Sequence, residues 1–62
     1  MNLQQLKQLA IDTITAFPNL KSEVIEFYQL AKDEIEEGGS EEHECYLAER
    51  DIIQLIEEAK AS

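Results

Sequence analysis

His43 and Cys45 are the side chains best suited to metal or nucleophilic chemistry, and each residue type occurs once in the chain. A structural zinc site needs four ligands, and a thiol nucleophile needs a base in contact with it. Two positions apart on a helix, these side chains point about 200° away from each other, so they share neither an ion nor a proton. Acids beside Cys45 would raise its thiol pKa, against the direction that activates a nucleophile. A carboxylate di-iron helix requires Glu three residues before His, and that position is Ser40. No catalytic, cofactor or metal residue is assigned, and the chain is expected not to be an enzyme.

The carboxylates carry more information. Asp33, Glu34, Glu36, Glu37, Glu41, Glu42 and Glu44 fall within twelve residues around Gly38 and Gly39, the only glycines present. Counted from Asp33 as the first position of an EF-hand calcium loop, Glu37, Gly38, Glu41 and Glu44 match positions 5, 6, 9 and 12. The match fails at Ile35, which stands where an oxygen ligand is required, and at Ser40, which stands where an apolar residue is usual. Weak divalent-cation binding by the hairpin is therefore the most remote of three functional readings. Phosphate cradling is excluded on charge, because the acids around Gly38-Gly39 repel phosphate.

The elements that must hold these groups are helical. Leu3, Leu6, Ala10, Ile14 and Phe17 recur at spacings of three and four, and Asn2 with Gln5 forms an N-terminal capping pair. Pro18 ends that helix, since the residue before proline is pushed out of helical geometry. Asn19 is the expected cap of a second helix with the stripe Leu20, Val24, Phe27, Tyr28, Ala31 and Ile35. Gly38 and Gly39 close it, and Ser40 caps a third helix with Cys45, Ala48, Ile52, Leu55, Ile56 and Ala59 on one side. The expected fold is all-α: a small three-helix bundle, with a helical hairpin over residues 20–60 and an N-terminal helix over 3–16. Residues 1–62 form a single acidic helical domain.

Some apolar residues miss the stripes. Ile25 and Leu30 flank the second, while Tyr46 and Ile53, one heptad apart, form a separate seam on the third helix, with Leu47 on another side. Wide stripes that touch both neighbouring helices are one account of them, and a dimer or partner groove along Tyr46 and Ile53 is the other. The polar face of the first helix is uncharged, with Asn2, Gln4, Gln5, Gln8, Thr13 and Thr15 available to a partner or to solvent.

Fourteen acidic against five basic residues give a net charge of −9. That balance repels nucleic acid and anionic lipid and favours basic protein surfaces. The charge is unevenly spread: residues 1–21 carry +1 and residues 22–62 carry −10, which suggests an acidic working half and a near-neutral packing half. A lone cysteine and the lack of a signal-like start point to a reducing cytoplasm, and no apolar run spans a bilayer. A chain this short has a marginal core, so weak homodimerisation is an expected alternative state. The leading expectation is a non-enzymatic accessory or regulatory protein-interaction module, presenting Asp33, Glu34, Glu36, Glu37, Glu41, Glu42, Glu44, Glu49 and Asp51 to a basic protein partner, with Tyr46 and Ile53 as the apolar contacts. It would bind no nucleic acid itself but could mimic one. The alternative is a dimerising or adaptor bundle that works through its apolar seams, with acidity serving solubility only.

Overall fold

In the computed structural model, which describes residues 1–61, helix α1 spans Leu3–Ala16, α2 Lys21–Glu36 and α3 Glu41–Ala61, with a 3-10 turn at Pro18–Leu20. The described residues form a three-helix bundle without strands. Its long axis measures 37 Å against 16 Å across. At roughly 1.5 Å of rise per residue α3 alone is about 31 Å long, so the helices run along that axis. Short connections make α2 antiparallel to both neighbours, and α1 and α3 start at the same end.

Each helix begins and ends for a local reason. Asn2 and Gln5 form a complete capping box: the Gln5 N–H donates to Asn2 Oδ1 at 2.8 Å and the Asn2 N–H donates to Gln5 Oε1 at 2.9 Å. Phe17 leaves helical geometry ahead of Pro18, at φ −132° and ψ 76°, as the proline demands. At the far end of α2 the Gly39 N–H reaches the Glu34 carbonyl at 2.8 Å and the Gly38 N–H reaches Ile35 at 3.1 Å. This pair of bonds is a Schellman motif, with Gly38 at φ +104°. Gly39 is required for a different reason, because a Cβ there would lie 2.8 Å from the Glu34 carbonyl oxygen. Ser40 then caps α3, its Oγ accepting from the His43 N–H at 3.3 Å.

Two expectations need correction. Asn19 does not cap α2; it lies inside the 3-10 turn, which Pro18 starts with its preset φ and which runs directly into the helix at Lys21, leaving no side-chain cap. Thr13 is not on a solvated face either: it is buried, and its hydroxyl donates to the Leu9 carbonyl at 2.7 Å, so it packs in the core with its polar atom satisfied.

The core is narrow. Leu6, Val24, Cys45 and Ile52 are fully buried, and Ala10, Ala31 and Ala48 let the helices approach closely between them. Leu9, Phe27, Tyr28, Ile35, Leu55 and Ile56 pack against this centre while keeping an outer edge in water.

Candidate functional site

Helix α3 sets the site by presenting different residues to its two neighbours. Seen down its axis, the flank that carries Glu44, Leu47 and Asp51 lies against α2, while the flank that carries Glu42, Tyr46 and Glu49 lies on the other side of the buried line Cys45, Ala48 and Ile52. The carboxylate surface expected from sequence is therefore divided between two places.

The first is a groove of about 300 Å³ between α2 and α3. Phe27, Leu30 and Leu47 give it an apolar floor, deepened by the small side chains of Ala31 and Ala48. Glu34, Glu44 and Asp51 rim it, so three of the sequence-selected acids converge here. Asp51 has the Arg50 guanidinium at 3.9 Å, an exposed contact that contributes little and leaves the rim acidic. Leu30 is 55 % exposed, which marks this floor as apolar surface that the bundle does not cover.

The second is an open cleft of about 440 Å³ beside the start of α3, where Glu42, His43, Tyr46 and Glu49 meet Ser40 and Met1. Tyr46 is 56 % exposed and Ile53, two helical turns further on, is 43 % exposed, so the expected seam exists as uncovered surface. The remaining acids stay near the tip. Asp33 accepts a hydrogen bond from Gln29 Nε2 at 3.0 Å, and Glu36 and Glu37 end α2 at the surface.

Glu41 has a different task. Its Oε2 accepts the Leu3 backbone N–H at 2.9 Å, placing a carboxylate from the first turn of α3 on the first amide of α1. A negative group there satisfies an otherwise open donor and opposes the positive end of the α1 dipole. Glu41 is thus structural within the acidic run, and sequence spacing could not reveal it because the two residues lie 38 positions apart.

The segment counted above as a pseudo-calcium loop is not a loop. Asp33–Glu36 complete α2, Glu41–Glu44 begin α3, and Ile35 packs against the core. Among the described residues no group of three or more His, Cys, Asp or Glu side chains is placed to hold a metal ion. His43 is exposed and Cys45 buried, on different sides of the same helix. Burial pushes the Cys45 thiol pKa up from its ordinary value of 9.0, and the negative charge of Glu41 adds to the rise. Among the described residues no helix is long and apolar enough to cross a membrane.

Most of the uncharged polar groups at and along α1 are engaged locally. Asn2 and Gln5 cap it, Gln8 Nε2 donates to Asp12 at 2.9 Å, and the Thr15 hydroxyl donates to the Ile11 carbonyl at 2.8 Å. Phe27 packs against the core as its stripe position requires, and sequence spacing did not show that its outer edge also lines the groove or that Leu47 stands beside it. Comparison with protein-family models, curated proteins and solved structures gives no match.

Proposed function

We propose that this chain is a non-enzymatic, acidic protein-interaction module, cytoplasmic, whose α2/α3 groove takes up a basic amphipathic segment of a partner protein. The observation that carries the reading is the pairing of an apolar floor, half-buried Phe27 and Leu47 with exposed Leu30, with the acidic rim of Glu34, Glu44 and Asp51. An amphipathic helix needs both: a strip of apolar side chains to bury and flanking cations to register against the rim. Glu44 and Asp51 are one heptad apart, about 10 Å along α3, which suits lysine or arginine at the same heptad spacing.

The groove favours this reading over mimicry of nucleic acid. A phosphate strand presents a charge about every 3.4 Å of helix axis, whereas the rim acids of α3 are about three times sparser, and the leucines between them have no counterpart in a phosphate backbone. A second reading, an adaptor or dimer seam along Tyr46 and Ile53, is supported by the exposure of both residues.

The test is affinity capture from a native lysate followed by binding kinetics with the captured partner. The triple variant Glu34→Gln, Glu44→Gln, Asp51→Asn should slow association and flatten its dependence on salt, because rim charges steer encounter. A Leu47→Ala change should speed dissociation by removing floor contact. Unchanged rates in both variants, with weakened binding after Tyr46→Ala or Ile53→Ala, would transfer the function to the other seam.

A further inference from the structure

On the other side of α2, the groove between α1 and α2 is also open, and its charge is inverted. Lys7 and Ile11 of α1 meet Tyr28 of α2 along a groove of about 520 Å³. On α2, Lys21, Ile25, Tyr28 and Lys32 follow at spacings of four, three and four, which aligns them on the flank facing that groove. Ile11 is 47 % and Ile25 45 % exposed. Three of the five basic residues of an otherwise acidic chain thus surround an apolar strip on one face. Glu36 is the one acid at the end of that ridge.

We infer that the α1/α2 face docks onto the acid-rimmed α2/α3 groove of a second copy of this chain, side by side and in the same direction. Charge spacing identifies the occupant. Lys7 and Lys32 lie level with each other near the start of α1 and the end of α2, and Lys21 is eleven residues from Lys32, about 16 Å away. In the groove, Glu34 and Glu44 lie level near the same end of the bundle. Glu23, on the groove flank of α2 one turn before Phe27, is eleven residues from Glu34, again about 16 Å. Two cations and a third therefore oppose two anions and a third at one spacing, with Ile11 and Ile25 over Leu30 and Leu47 between them.

The contact joins different faces of the two copies, so it is head to tail and leaves a free groove and a free basic face on every assembly. Association then competes with the partner for the same groove, and that part of the inference rests on the function proposed above. Salt separates this contact from a purely apolar one. Near 0.1 M salt a Debye length of about 10 Å screens the repulsion between whole molecules of charge −9 better than it screens ion pairs in contact, and near 1 M those pairs are weakened as well.

Sedimentation of the full chain over a concentration series at about 0.1 M and about 1 M salt tests the inference. The average mass should rise with concentration at the lower salt and fall back at the higher. The variant Lys7→Gln, Lys32→Gln, and separately Glu34→Gln, Glu44→Gln, should each associate roughly two- to tenfold more weakly. An equimolar mixture of the two variants retains one intact face of each kind and should stop at a one-to-one pair. The lysine variant leaves the groove untouched and should still capture the partner, so failure of self-association and failure of the partner reading are distinguishable. A chain that stays monomeric up to millimolar concentration at about 0.1 M salt, or one whose association strengthens at about 1 M, overturns the inference. Retained helical circular dichroism in each variant excludes unfolding as the cause.

Discussion

The grooves on either side of α2 share that helix and differ in charge and in lining: Gln4 and Gln8 stand beside Lys7 in the one, while Ala31 and Ala48 deepen the other between its acids. On the α1 side Tyr28 meets Lys7 and Ile11, and helical spacing puts Lys21, Ile25 and Lys32 on the same flank of α2; on the α3 side Phe27, Leu30 and Glu34 meet Glu44, Leu47 and Asp51, with Glu23 on that flank by the same spacing. The net charge of −9 conceals this division, and so does the contrast between residues 1–21 and 22–62, because a helix distributes its residues around an axis and not along the sequence. The polarity of the molecule lies across the bundle, with α2 contributing to both signs. Both faces rest on the same few buried side chains.

The largest effect should come from that shared support. Ile52 is fully buried in the narrow core, and Ile52→Ala should cost about 2–5 kcal/mol. Domains of this size have little stability to lose, so chemical denaturation should find the variant largely unfolded, with both faces lost together. Stability within about 1 kcal/mol of the parent chain would mean that the bundle closes around the cavity.

Ala48→Leu should separate the faces. Ala48 is buried beneath the floor of the α2/α3 groove, and a larger side chain there pushes α2 from α3 at a cost of about 1–3 kcal/mol. Partner capture should fall, with the largest amide shifts along the α2/α3 contact and smaller ones where α2 meets α1. At the turn, Gly38→Ala places a side chain on a backbone with φ +104° and should cost about 1–3 kcal/mol in denaturation. The same change at Gly39 should cost stability by pressing on the Glu34 carbonyl, without a strained φ to relieve.

What was legible in sequence was whatever depended on near neighbours. Asn2 with Gln5, the break at Pro18, left-handed Gly38 and the Ser40 cap all act within a few residues, and the three helices follow with bounds close to those read from periodicity. Asn19 failed because two local rules competed there, and the proline-led turn took the residue a cap would have used. Thr13 failed because its hydroxyl satisfied itself on the Leu9 carbonyl, which made a polar residue admissible in the core. The candidate acids were legible as a set but not as an arrangement. Which of them rim a groove with Phe27 and Leu30, and which caps α1, depends on how three helices pack.

Cys45 offers a probe of the packing beneath both faces. Its thiol pKa is raised by burial and then by Glu41, so the thiol form is the one the fold favours. In the unfolded chain the group ionises near its ordinary value of 9.0, below the folded value. This contribution to stability is thus fully present below about pH 9 and is lost as the pH climbs from there through the folded pKa. Denaturation midpoints should fall over that alkaline range in the parent chain and fall less in Cys45→Ala. Thiol-reagent labelling should be slow in the native state and fast in denaturant; equal rates would contradict a buried sulfur.

The smallest effect distinguishes two glutamates only four positions apart. Glu37 ends α2, where a negative charge opposes the negative pole of the helix, while Glu41 bonds the first amide of α1, where a negative charge is favoured. Glu37→Gln should therefore raise stability slightly, and Glu41→Gln should lower it, each by about 0.3–1 kcal/mol at low salt. Glu41→Gln retains an oxygen that can accept from Leu3, so Glu41→Ala should cost more, and amide exchange at Leu3 should accelerate in that order. Net charge alone predicts the opposite for Glu41, since each removal brings a chain of charge −9 closer to neutrality and relieves repulsion. If both Gln variants gain stability, repulsion outweighs the bond to α1 and the whole acidic run behaves as a solvated face. If their signs differ, Glu41 belongs to the fold and only its neighbours are free to serve the groove.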